Sequence, residues 1–255
     1  MGYEATVAVA VFALFAGMLA LQELGRRVGI RRFKADPEGA REGIGTIDGA
    51  VFALLGLLVA FTFSGAASRF DARRALVGQE ANAIGTAWLR LDLLPPEAQP
   101  ELRRLFRDYT DARVSAYGQS DVGDAWREYA RSEAIQGDIW KQARRAAEGS
   151  PPATMLLLPA LNEMIDITTT RRVAAQMHPP VVIFALLFGL GYACALLAGY
   201  GMGAGRTRNW THMLAFAGIT ALTVYVILDI EYPRRGFIRV DAVDQLLVDL
   251  RAGMK

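Results

Sequence analysis

The sequence predicts an all-α integral membrane protein. Four transmembrane helices carry a helical extramembrane domain inserted between the second and third, and the second helix continues well beyond the membrane. Three observations predict this. First, the runs Ala5–Leu21, Ile47–Ser64, Val181–Gly201 and Met213–Ile230 are apolar, with charged residues only at their ends, Asp48 and Asp229. Each has roughly the 17 to 25 residues that cross a ~30 Å hydrocarbon core at about 1.5 Å per residue. Second, the long polar stretch between the second and third runs has helical periodicity, and strand alternation of useful length occurs nowhere. Third, neither proline nor a turn cluster separates the apolar "AFTFSG" from the charged "AASRFDARRALVGQEANAIGTAW". The 53% of hydrophobic residues in 255 is high for a water-soluble chain.

Taken in order, the first run is preceded by "MGYE" and followed by "RRVGIRRFK", the reverse of a signal peptide's charge bias, so it reads as a retained anchor. The loop 22–46 carries Arg26, Arg27, Arg31, Arg32, Lys34 and Arg41 against four acids. The loop 202–212 carries Arg206 and Arg208 and no acid. The positive-inside rule assigns both loops to the cytoplasm, with both termini and residues 65–178 outside. Arg69, Arg73, Arg171, Arg172, Arg234 and Arg235, near span ends on the other side, pull against that orientation. The organisation is then a first membrane helix pair (1–64, spans about 5–21 and 47–64) and an extramembrane helical domain (65–178). A second membrane pair (179–232, spans about 181–201 and 213–230) and an amphipathic tail (233–255) complete it.

Within the inserted domain, Leu102, Leu105, Phe106, Tyr109 and Ala116 recur at helical spacing. Ile135, Ile139, Ala143 and Ala146 form the face of a next helix, with Asp124 as its cap. Leu157, Leu161, Met164, Ile165 and Thr168 form the face of a third. "TMLLLPAL" is too short to cross a membrane and reads as a buried or interfacial helix start. In the tail, Pro233 ends the fourth span and Gly236 permits a turn before Val243, Leu246, Leu247 and Leu250.

Enzymatic chemistry finds no foothold. The sequence has no CxxC, HExxH, Walker A or GxSxG motif, and His178 and His212 lack partners at metal-ligand spacing. No catalytic residue, metal site or cofactor is expected. The glycine-rich "GYGMGAG" follows a membrane helix, not a strand, and reads as a flexible loop. Glu163 and Asp166 share a helix face, but pairing with Arg171 and Arg172 accounts for them better than acid–base work. Cys194 lies inside the third span and reads as a packing residue. A net charge of +2 with interspersed signs gives no support for nucleic acid as a partner. The partners expected are membrane lipid and further copies of the chain, with a protein partner at the extramembrane domain as an open possibility.

The second helix offers two lines. Heptad counting gives Gly49, Ala53, Gly56, Ala60, Phe63, Ala67 and Phe70, continuing after one skipped step as Val77, Ala81, Ile84, Trp88 and Leu91. Gly49/Ala53 and Gly56/Ala60 are small-xxx-small pairs, the pattern of close helix packing in membranes, and the outer half is a conventional apolar seam. The second line is Asp48, Phe52, Leu55, Val59, Thr62 and Arg69, polar at both ends and apolar between. Turned inward in an oligomer, it would line a pore with charged mouths and a hydrophobic neck; the plainer alternative is a lipid-facing surface. Asp229 and Glu231 are costly at a span end unless paired or wetted. Arg69, Arg73 and Arg74 lie on the same side, which suggests an ion-pair collar between the second and fourth helices.

The segments "GLLVAFTFSGAASRFDARRALVGQEANAIGTAWLRLDLLP", "LNEMIDITTTRR" followed by "HPPVV", and "LDIEYPRRGFIRV" resemble the bestrophin-like (DUF4239-type) bacterial membrane proteins. They are spread from about residue 47 to the C-terminus. The resemblance implies four spans with a helical insert and, through kinship with bestrophins, an oligomeric channel with a hydrophobic neck. No acidic calcium clasp accompanies it. Two functions follow: an oligomeric ion channel or pore lined by the second membrane helix, or a non-conducting membrane scaffold or sensor that binds a partner through its helical domain.

Overall fold

In the computed structural model the described residues are 3–41, 44–118, 122–205, 208–232, 236–238 and 241–255, and no strand occurs among them. The helices are α1 (Tyr3–Ala35), α2 (Ile44–Arg90), α3 (Gln99–Gly118), α4 (Val122–Ala146), α5 (Pro151–Gln176), α6 (Val181–Met202), α7 (Trp210–Glu231) and α8 (Asp241–Gly253). Four helical stretches are long and apolar enough to cross a membrane. Pro233, Arg234, Arg235 and Arg206, named above, lie outside the described residues, as does the side chain of Val243.

Local chemistry accounts for the boundaries. Pro151 and Pro152 open α5, where the first amides have no helical acceptor to lose. The Pro179–Pro180 pair separates α5 from α6, because proline donates no N–H and pushes the residue before it out of the helical region. Asn209 caps α7, its side chain accepting the His212 N–H at 3.3 Å. Asp124 stands in the first turn of α4, where it pairs with Arg127.

The chain divides into two compact units, Met1–Phe70 with His178–Arg239, and Asp71–Met177 with Val240–Lys255. In the first, α1 packs along α6 and α7. Burial of apolar surface drives little here, since lipid is as apolar as leucine; close van der Waals fit does the work. Glycines supply it. A Cβ added at Gly25 would overlap the Leu196 carbonyl oxygen, and one at Gly199 the Gln22 carbonyl oxygen. One at Gly203 would lie 2.6 Å from the Gly29 carbonyl carbon. The spacing is the same in both, Gly17, Gly25, Gly29 on α1 and Gly191, Gly199 on α6 with Gly203 as its C-cap. Leu14, Met18, Leu187, Cys194, Ala217 and Val224 fill the interior.

The second unit is a helical bundle about an apolar core of Val77, Ile84, Trp88 and Leu91, with Leu102, Phe106 and Tyr109 of α3, Ile139 and Ala143 of α4, and Leu157, Leu161 and Met164 of α5. Its wall is completed by α8: Leu247 and Met254 are buried in it, and Arg251 donates to Asp111 at 2.9 Å. The amphipathic tail therefore belongs to this bundle. Glu163 and Asp166 are exposed, and the arginines offered as their partners turn elsewhere, Arg171 to Glu80 and Asp244, Arg172 to Glu133.

Candidate functional site: the second helix and its charged surroundings

α2 has 47 residues, about 70 Å at α-helical rise. Its faces have opposite fates. Leu55 and Thr62 are buried, Thr62 donating to the Leu58 carbonyl at 2.7 Å. Phe52 meets Phe216 edge-on with ring centroids 5.7 Å apart. Val59 packs beside Ile227 and Ile230, with Ala66 fully buried among them. Asp48 is half-buried. The line expected to face a pore is thus the line that packs inside its own protomer. Gly49, Ala53, Gly56 and Ala60 are exposed instead, and a Cβ at Gly49 or Gly56 would have nothing within 4 Å. Among the described residues the close backbone approach belongs to α1 and α6, not to Gly49 and Gly56 of α2.

The heptad seam also divides. A straight helix drifts by about 20° per heptad against a seven-residue repeat. Between Gly49 and Ile84 the drift is roughly 100°, enough to carry the line from the exposed face onto the buried one. Eleven residues make just over three turns, so the exposed face follows that repeat. It runs Gly49, Ala60, Asp71, Asn82, beside Ala53, Ser64, Ala75, Thr86, all exposed or half-exposed. At one margin of the outer half, α8 approaches, with Leu246 beside Gly78 and Leu250 beside Gly85.

At the outer end of the first unit, Glu231 is 1% exposed and carries a bidentate pair with Arg69, Nε to Oε1 at 3.0 Å and Nη2 to Oε2 at 2.8 Å. Such forked pairs are the strong kind. His178 Nδ1 lies 3.1 Å from Glu231 Oε1, its ring stacked on Tyr232 at 4.4 Å. Tyr3 packs against Tyr232 with the rings tilted by 46° and donates to the Leu228 carbonyl at 2.9 Å. Asp229 accepts the Phe237 and Ile238 amides at 3.0 and 2.8 Å. A Cβ at Gly236 would overlap its carboxylate. In the second unit, Arg73 donates to the Ala174 and Met177 carbonyls at 3.0 and 2.8 Å, at the C-terminal end of α5, where a cation is favoured. Arg74 stands 3.8 Å from Asp71. Of the five collar residues, Arg69 and Glu231 form a forked ion pair.

The model of the Bestrophin-like domain matches residues 12–244. The chain belongs to the Bestrophin-like family. Solved structures resemble it over nearly its full length. A bacterial bestrophin homologue from Klebsiella pneumoniae, in a tyrosine-to-alanine variant, has a TM-score of 0.65 at 15% identity, covering 92% of this chain and 98% of that one. A tryptophan-to-alanine variant gives 0.64 at 16%, covering 95% and 98%. The same homologue phased on zinc gives 0.63 at 15%, covering 92% and 97%. At such identities the likeness is one of fold. No curated protein matches the chain in sequence.

This Bestrophin-like chain holds a second charged cluster that sequence reading missed. Glu80 of α2 is fully buried, with Arg113 Nε 2.6 Å from Oε1, the Tyr117 hydroxyl 3.0 Å from Oε2, and Arg171 paired to Oε2. The Arg171 guanidinium lies 4.0 Å from the Tyr117 ring centroid, and that of Arg113 5.0 Å from those of Tyr117 and Tyr129. Burial, reinforced by the Glu80 charge, pushes the Tyr117 hydroxyl well above its ordinary value, so it remains a donor. This cluster ties α2, α3 and α5 together. No group of three or more His, Cys, Asp and Glu among the described residues could hold a metal ion.

Proposed function

We propose that the chain is the protomer of a homo-oligomeric ion channel of the bacterial inner membrane, with α2 lining the pore by its exposed face. One observation carries this: beside the bulky Leu54, Leu57 and Phe61, α2 exposes a row of small residues, Gly49, Ala53, Gly56, Ala60 and Ser64. Lipid favours no such row; close approach of further copies does. The hydrophobic neck that the family resemblance implies then falls to Leu57, the bulky apolar residue nearest the middle of that row and 51% exposed. Purified chain in mild detergent should be oligomeric, with helices around a central axis, and should conduct in planar bilayers. Silent bilayers containing intact oligomers would sink the channel.

A non-conducting scaffold is the second reading. It is favoured by the apolar side chains exposed on the second unit, Leu89, Trp126, Met155 and Leu156. Affinity capture that recovers a stoichiometric foreign protein, together with silent bilayers, supports it over the channel. Orientation rests on loop charge, with 22–46 and 202–212 cytoplasmic.

A further inference from the structure

We propose that Arg27 of α1 and Arg208 before α7, gathered on Glu23, form a binding site for the phosphate of an anionic phospholipid. The site stands apart from conduction and would serve a channel or a scaffold alike. Glu23 follows the first apolar run closely and Arg208 closely precedes the fourth, so both lie at headgroup level on the same side. Glu23 Oε1 accepts Arg26 Nη2 at 3.0 Å, Arg27 Nε at 2.8 Å and Arg208 Nη2 at 2.7 Å, and Arg26 Nε donates to Oε2 at 2.9 Å. Three guanidiniums thus share one carboxylate, and positive charge is left over.

The three arginines are spent differently. Arg26 gives Glu23 two nitrogens and is mostly buried. Arg27 and Arg208 give it one each, and their side chains are 65% and 40% exposed. Glu23 therefore fixes two guanidiniums side by side whose other donors suit phosphate oxygens, the geometry in which arginine outdoes lysine. The N-terminus of α7 begins at Trp210 and adds partial positive charge. The Arg208 guanidinium lies 5.5 Å from the Trp210 ring centroid, and that exposed indole is of the kind that sits at the membrane boundary. Apolar surface adjoins the charge on the membrane side: Leu24 shares a face with Arg27, Leu214 shares one with Trp210, and both are exposed. Phosphate donors beside an apolar strip fit an amphiphile better than a free anion.

The test is tryptophan quenching of the full chain in phosphatidylcholine vesicles doped with phosphatidylglycerol brominated near the headgroup end of its acyl chains. Trp210 belongs to the first unit and Trp88, Trp126 and Trp140 to the second, so Trp210→Phe supplies the background. Trp210 should be quenched more by brominated phosphatidylglycerol than by the same fraction of brominated phosphatidylcholine. Arg27→Gln and Arg208→Gln should each lower that preference by about fivefold. Arg32→Gln with Lys34→Gln removes as much charge farther along α1 and should change it by less than about twofold, since screening intervenes. Both site arginines are exposed, so the variants should elute from size exclusion as wild type does. Equal quenching by the two lipids, or an equal loss in the Arg32, Lys34 variant, overturns the site. Millimolar inorganic phosphate should leave the preference in place; its abolition would make the ligand a free anion and overturn the lipid.

Discussion

A carboxylate in a dry place is stable only with its partners, and two residues make this concrete. Glu231 has Arg69 and His178; Glu80 has Arg113, Arg171 and Tyr117. Removing one side of such a pair leaves the other charge buried, at a cost of about 3–5 kcal/mol. Glu80→Leu should therefore lower the thermal midpoint of the detergent-solubilised protein by about 10 °C, whereas Asp71→Asn should leave it within error. Equal midpoints would contradict the role given to Glu80. Arg69→Glu should impair folding, and the double variant Arg69→Glu with Glu231→Arg should recover part of the yield. The sequence flagged Glu231 because an acid at a span end is conspicuous. It was silent on Glu80, one acid among many in a polar helix, whose arginines come from 33 and 91 residues away.

At the level of elements, the glycines of the spans do two different jobs. Gly25, Gly199 and Gly203 admit a neighbouring backbone; Gly49 and Gly56 face open space. Gly199→Val should prevent α1 and α6 from closing, read as loss of folded protein on membrane extraction. Gly49→Ala and Gly56→Ala should keep the protomer folded, gaining up to about 1 kcal/mol of helix propensity each. Crosslinking should then show a weakened oligomer, because the added methyl separates copies. A Gly49→Ala, Gly56→Ala double variant with unchanged assembly would remove the small row from any interface. Apolar length and the absence of a break made α2 legible as one long helix. Its rotation was not legible, because heptad counting assumes a supercoil and α2 runs straight enough to lose register over five heptads. The repeated glycine spacing on α1 and α6 was present in the sequence all along. Nothing local distinguished it from the small pairs of α2, since a glycine does not announce whether a backbone lies opposite.

For the whole molecule, the orientation we propose from loop charge is tested by single cysteines placed at Arg27 and at Arg104 in a Cys194→Ala background. A membrane-impermeant thiol reagent applied to whole cells should label the second and not the first; the reverse pattern inverts the orientation. By itself the sequence determined the four spans, the helical insert, the continuous second helix and the family, because these depend on segment length, period and composition, which are local. Only the tertiary structure decided which face of α2 is spent inside the protomer, which arginine meets Glu231, and that α8 closes the second unit. Those outcomes depend on axial level and rotation among helices far apart in the chain, and a one-dimensional period carries neither.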